Sequence, residues 1–159
     1  TKIDLIKKLS ESSGHLGIAG GQYLDLSYEK KKKSKNQIIE MEVKKTGKLF
    51  SFCCLAPAMI KKKDNKEIKF FENLGSNIGL LFQISDDLID FKGDTKKAGK
   101  KTGKDQKRGK ATLISLIGYT NAVKYCDKII FDVYNSLKKY GSNSKNIKET
   151  LDYILNRDK

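Results

Sequence analysis

With 159 residues, 38% of them hydrophobic, the chain is long enough for one domain with a real core and too short for two comfortable ones. Leu, Ile and Phe spread throughout argue against disorder, and period-2 alternation bounded by turn signals is too scarce for a sandwich or barrel. The formal charge of +14, from 33 basic and 19 acidic residues, favours anionic partners, but the lysines are smeared along the chain without any nucleic-acid-binding signature.

Three cysteines, Cys53, Cys54 and Cys126, form neither a disulfide framework nor a zinc spacing. They read as small buried hydrophobes in a reducing compartment, which points to the cytoplasm. No uncharged run reaches the ~20 residues of a membrane span. The longest, 49–60 and 111–123, are short, so no stable membrane insertion is expected. The start does not resemble a signal peptide. It lies at Thr1, already inside a helical pattern, which suggests that a natural beginning is missing.

Apolar positions Ile3, Leu5, Ile6 and Leu9 predict a first helical segment. Gly14, Gly17, Gly20 and Gly21 follow at spacings that on a helix would make a groove for close backbone approach, and Gln22 and Asp25 share a face. His15, the only histidine, reads as exposed or satisfied rather than catalytic. The lysine run at 30–35 reads as a solvated loop. A long helical pattern spans 37–60, with the basic, hydroxyl-bearing patch Lys44-Lys45-Thr46-Gly47 at its centre, and 61–69 reads as a polar connection. Residues 70–91 form the central helix, 92–110 a glycine- and lysine-rich loop, and 111–139 a further helical stretch. A turn at 141–146 and a terminal helix at 147–155 complete an all-α chain read as a single helical domain over 1–159.

At about 100° per residue, Leu81, Ile84, Leu88 and Phe91 form one stripe of the central helix, with Gln83, Asp86, Asp87 and Asp90 opposite. Phe82 and Ile89 flank the acidic sector, so this is not a plain solvated face. Three carboxylates in an otherwise buried helix repel one another and are costly to desolvate without a cation. An Asp-Asp-x-x-Asp array supplies hard oxygen ligands of the kind Mg²⁺ shares with phosphate oxygens and water. The lysines that follow would neutralise phosphate charge as point cations. Together these features suit loss of a diphosphate leaving group inside an apolar helical cavity, the resulting carbocation being quenched by an alkene.

The stretch from Phe82 to Asp105 resembles the second aspartate-rich region of the trans-type polyprenyl diphosphate synthases, the farnesyl and geranylgeranyl diphosphate synthase family. The shared elements are Phe82-Gln83, Asp86-Asp87, Asp90, Gly99-Lys100, Gly103 and Asp105, then Gly109-Lys110-Ala111-Thr112. Upstream, Gly20-Gly21-Gln22 with Asp25 and Lys45-Thr46-Gly47 are similar to two further motifs of that family, in the family's order. The resemblance implies an isoprenoid-synthase helical bundle and Mg²⁺-dependent head-to-tail condensation of isopentenyl diphosphate with an allylic diphosphate. It implies that Asp86, Asp87 and Asp90 hold Mg²⁺ bridged to the allylic diphosphate, which Lys45 and Lys100 contact. Thr46 and Gln83 would lie by the allylic ligand, Lys110 is a further candidate contact, and Gln22 and Asp25 would give polar support. A homodimer is also implied.

The family's first aspartate-rich motif has no counterpart here, and Asp86, Asp87 and Asp90 form the only Asp-Asp-x-x-Asp array. The resemblance therefore implies the C-terminal half of a synthase, lacking the N-terminal half and inactive alone, with apolar faces left uncovered. Two other readings compete: a non-catalytic partner subunit of the same fold, and a basic helical module for nucleic acid.

Overall fold

A computed structural model describes residues 1–92 and 109–156. In chain order the helices are α1 (Lys2–Ser13), α2 (Ile18–Tyr28), α3 (Lys35–Glu42), a π-helical turn (Val43–Gly47), α4 (Lys48–Ile60) and α5 (Asn65–Lys92). After residues 93–108 follow α6 (Leu113–Ile117), α7 (Tyr119–Leu137), a 3₁₀ stretch (Lys138–Ser144) and α8 (Lys145–Asn156). No strand occurs among the described residues.

The 28-residue α5 is the axis of the core, and it is buried on nearly all sides over its second half. Leu80, Leu81, Ile84 and Ile89 are all buried, as the flanking Phe82 and Ile89 predicted, and so are Asp87 and Asp90. Phe91, expected on the apolar stripe, is instead 45% exposed and stacks on Tyr119 at a centroid distance of 5.9 Å. The core gathers Ile38 and Met41 of α3, Leu113 of α6, Cys126, Val133 and Leu137 of α7, and Leu151 and Ile154 of α8 around α5.

Glycines decide how closely the π-turn approaches its neighbours. A Cβ on Gly79 of α5 would lie 2.6 Å from Gly47 Cα, and one on Gly21 of α2 would lie 2.2 Å from Lys45 N. The turn is thus held between two helices at backbone contact, a spacing that any side chain would forbid. Of the glycine series expected to line one helical groove, only Gly20 and Gly21 lie within α2, because the helix is interrupted by a turn between Ser13 and Ile18.

Three boundaries differ from the sequence reading. Helix α5 begins at Asn65, so much of the segment read as a polar connection is helical. Asp64 Oδ1 accepts the Glu67 N–H at 2.7 Å, and the Lys63–Glu67 and Lys69–Glu72 pairs lie along the first turns, so local polar contacts sustain a helix where apolar periodicity is absent. Gly118, at φ +79°, divides the 111–139 stretch into α6 and α7. Helix α8 starts two residues earlier than read, directly from the 3₁₀ stretch. Of the cysteines, Cys126 is buried and Cys54 half-buried, but Cys53 is exposed, contrary to expectation.

On the surface, α1 leaves Ile3 and Ile6 exposed, and α2 leaves Tyr23 and Leu26 exposed, as an uncovered apolar face would. No helix among the described residues is long and apolar enough to cross a membrane.

Candidate functional site

The site is built where α2, the π-turn and α5 meet. Thr46 Oγ1 donates to Gln83 Oε1 at 3.0 Å, and Gln83 Nε2 donates to Asp87 Oδ1 at 2.9 Å. The hydroxyl fixes which way the amide points, and the amide then holds one carboxylate oxygen. Lys45, the residue before Thr46, turns the other way and places Nζ 2.6 Å from Oδ2 of Asp25, which is buried on α2. The extra residue in a π-turn shifts the angular register, so neighbouring residues address two different helices, and such turns recur at functional sites.

Asp87 and Asp90 share a cavity of about 50 Å³ with Lys110, Thr112 and Ser115. Thr112 caps α6, accepting from the Ser115 N–H at 3.1 Å while Ser115 Oγ accepts from the Thr112 N–H at 3.0 Å. The cap anchors the segment just after Lys110, and so sets that ammonium beside the two aspartates. Asp86 is half-buried and does not line this cavity, although its spacing from Asp90 had suggested stacked carboxylates. Lys100, with Gly103 and Asp105, lies outside the described residues. Gln22 is exposed although Asp25, three residues on, is buried, and His15 is exposed as expected.

The residue that sequence reasoning missed is Glu42. It closes α3 immediately before the π-turn, is 1% exposed, and neither carboxylate oxygen finds a hydrogen-bond partner. Burial raises its carboxyl well above the ordinary 4.5, and the Asp87 and Asp25 charges push the same way. The Leu113 backbone amide, short of a well-formed hydrogen bond, and the Lys45 ammonium pull less strongly in the other direction. Glutamates are ordinary on amphipathic helices, so only its place between Met41 and Val43 hinted at burial.

Mg²⁺ suits the donor chemistry: carboxylate oxygens project from one helix, two of them into a cavity, with Asp87 oriented by Gln83. Among the described residues no three His, Cys, Asp or Glu converge as a closed metal cage. A cation there would take its remaining ligands from water and phosphate oxygens, the usual habit of Mg²⁺.

An all-α bundle with this arrangement has the isoprenoid-synthase fold. A solved FPP/GFPP synthase from Zymomonas mobilis superposes with a TM-score of 0.82 at 30% identity, over 96% of this chain and 50% of that one. A Helicobacter pylori geranyltransferase, solved in complex with magnesium and isoprenyl diphosphate, gives 0.80 at 30% identity over 97% of this chain and 50% of that one. The chain belongs to the polyprenyl synthetase family, whose sequence profile matches residues 1–154. A farnesyl diphosphate synthase of Micrococcus luteus is 32% identical over 158 residues, covering 99% of this chain. The chain spans about half the length of the relatives it matches, 54% of the Micrococcus luteus protein.

Proposed function

We propose that this chain is the diphosphate-handling half of a prenyltransferase that condenses isopentenyl diphosphate head-to-tail with an allylic diphosphate. The observation that carries the reading is the Thr46–Gln83–Asp87 chain beside Asp90 and Lys110, in a member of the polyprenyl synthetase family.

Asp86, Asp87 and Asp90 hold Mg²⁺, which when bound supplies Lewis acidity toward the diphosphate. Lys45, Lys100 and Lys110 neutralise phosphate charge as point cations. Thr46 and Gln83 keep Asp87 turned toward the ligand and stand beside the allylic carbon as its bond to the diphosphate breaks. The apolar helices around α5 exclude water, so the cation is captured by the alkene of isopentenyl diphosphate and then loses a proton. The second substrate's site is supplied by the part of the family fold that these residues do not span. The chain alone does not turn over, and the complete enzyme works as a cytoplasmic homodimer.

Calorimetry with Mg²⁺ and a non-hydrolysable allylic diphosphate analogue tests the reading. Magnesium-dependent binding should weaken by about 10–100-fold in Asp87→Asn and Asp90→Asn, the range typical for disturbed metal sites. Binding that ignores both magnesium and these substitutions would overturn it.

A further inference from the structure

A second cavity, of about 590 Å³, opens beside the first and shares Lys110 and Ser115 with it. Lys30, Lys31, Lys32, Lys33 and Lys110 line it, and no carboxylate does among the described residues. This is the lysine run that the sequence presents as a solvated loop. It is a loop whose lysines 30–32 are exposed, and its first residue is tied by its backbone: the Lys30 N–H donates to Gly109 O at 2.8 Å. Lys30 itself adopts φ +58°, a left-handed conformation that a lysine holds only when its surroundings impose it. Gly109, at φ +66°, faces it so closely that a Cβ there would lie 3.1 Å from Lys30 Cγ. The two segments are therefore latched, and the latch sets consecutive lysines, of which Lys30, Lys31 and Lys32 stay exposed, around the rim of a recess.

Some lysines have a described carboxylate close by, while others, Lys2, Lys7 and Lys66 among them, do not. Lys8, Lys44, Lys63, Lys69 and Lys145 each have a glutamate within 3.7 Å, three or four residues away in the chain. Lys33 lies over the Tyr28 ring at 4.2 Å, whereas Lys30, Lys31 and Lys32 pair with no described carboxylate. Four like charges in succession beside a cavity hold a positive potential that a multivalent anion would relieve. Ile38, Ala111 and Leu116 give the cavity an apolar wall.

The geometry points to a second diphosphate site, in which the residue 30–33 lysines and Lys110 receive a diphosphate group at the mouth of the Asp87–Asp90 cavity. A recess of this size suits a small ligand, whereas nucleic acid needs an extended basic surface. The lysines need no metal, so the site is independent of the role proposed for the aspartates. Inorganic diphosphate and the head of a prenyl diphosphate share the chemistry it recognises. Lys110, common to both cavities, makes it a station between solvent and the inner cavity.

The test is calorimetry of the chain in EDTA, where a magnesium-dependent site is silent. Inorganic diphosphate should bind, and Lys31→Glu/Lys32→Glu should weaken it by about tenfold or more through reversal of two nearby charges. Asp87→Asn, which removes a negative charge near Lys110, should not weaken it, and Lys128→Glu/Lys138→Glu, which alters net charge equally elsewhere, should leave it unchanged. A geranyl thiolodiphosphate that binds more tightly, with the gain removed by Leu116→Ser, identifies the prenyl ligand; equal affinities identify the inorganic one. No binding in EDTA, equal weakening by both double substitutions, or stoichiometric displacement by duplex DNA would overturn the proposal.

Discussion

Gln83 holds Asp87 one helical turn ahead of it on α5, by a 2.9 Å hydrogen bond whose direction is set by Thr46 at 3.0 Å. Replacing Gln83 by Glu keeps the acceptor for Thr46 but removes the donor and sets a second negative charge beside Asp87. We expect Gln83→Glu to fold normally and to lose about 10–100-fold of magnesium-dependent affinity for an allylic diphosphate analogue, comparable to losing a metal ligand's support. Calorimetry at fixed Mg²⁺ checks this, and unchanged affinity would remove Gln83 from the site.

The Lys45–Asp25 pair joins the π-turn to α2. Lys45→Met leaves a carboxylate that is 6% exposed without its cation, and should cost about 3 kcal/mol, near the low end for breaking a buried pair because Lys45 is itself partly solvated. Asp25→Leu combined with Lys45→Met should recover most of that loss, since no charge is then left buried. Urea unfolding of the single and double variants decides the matter; a double variant no more stable than Lys45→Met would contradict it.

Glu42 gives stability a pH dependence of definite sign. Its folded-state carboxyl is raised above the ordinary 4.5, so between that value and the folded one the native state binds more protons than the unfolded state. Stability contributed at low pH is therefore lost as pH rises through this window. Glu42→Gln should flatten the loss and raise the melting temperature at pH 7. A melting temperature against pH profile identical for both proteins would refute the assignment.

Backbone contact at Gly79 predicts a coupled defect. A methyl group there meets Gly47 Cα at 2.6 Å, so Gly79→Ala should destabilise the fold by about 1–3 kcal/mol, the range for overpacking. Because the atom displaced belongs to the π-turn, diphosphate binding should suffer even where the variant is fully folded. Chemical denaturation and calorimetry together separate the two effects.

Thiol reactivity should divide sharply. Burial pushes Cys54 up to about 11 and Cys126 up to about 12, whereas Cys53 is exposed. A thiol reagent at pH 8 should modify one cysteine quickly in the native protein, and Cys53→Ser should abolish that fast phase.

The central helix was legible because apolar residues surround its aspartates, a pattern that a solvated face does not produce. Motif spacing likewise brought Thr46, Gln83 and Asp87 forward, and the structure joins them by hydrogen bonds. What escaped depends on long-range placement. Asp25 and Lys45 are 20 residues apart, and nothing local pairs them. The start of α5 was hidden because capping and ion pairs support it in place of apolar periodicity. Glu42 was invisible because its surroundings come from residues distant in the chain on both sides, Asp25 before it and Asp87 and Leu113 after it.

The π-turn has one more consequence. A residue advances an α-helix by about 100°, so widening a single turn rotates everything beyond it relative to everything before. Helices α3 and α4 therefore work like two sections of a shaft coupled slightly out of phase, each free to set its own apolar stripe against α5. The polar side chains at the coupling are swung into directions that neither stripe occupies, toward Asp25 on one side and Gln83 on the other. A continuous α-helix of the same composition would have to surrender either its packing or its chemistry; the offset lets one segment keep both.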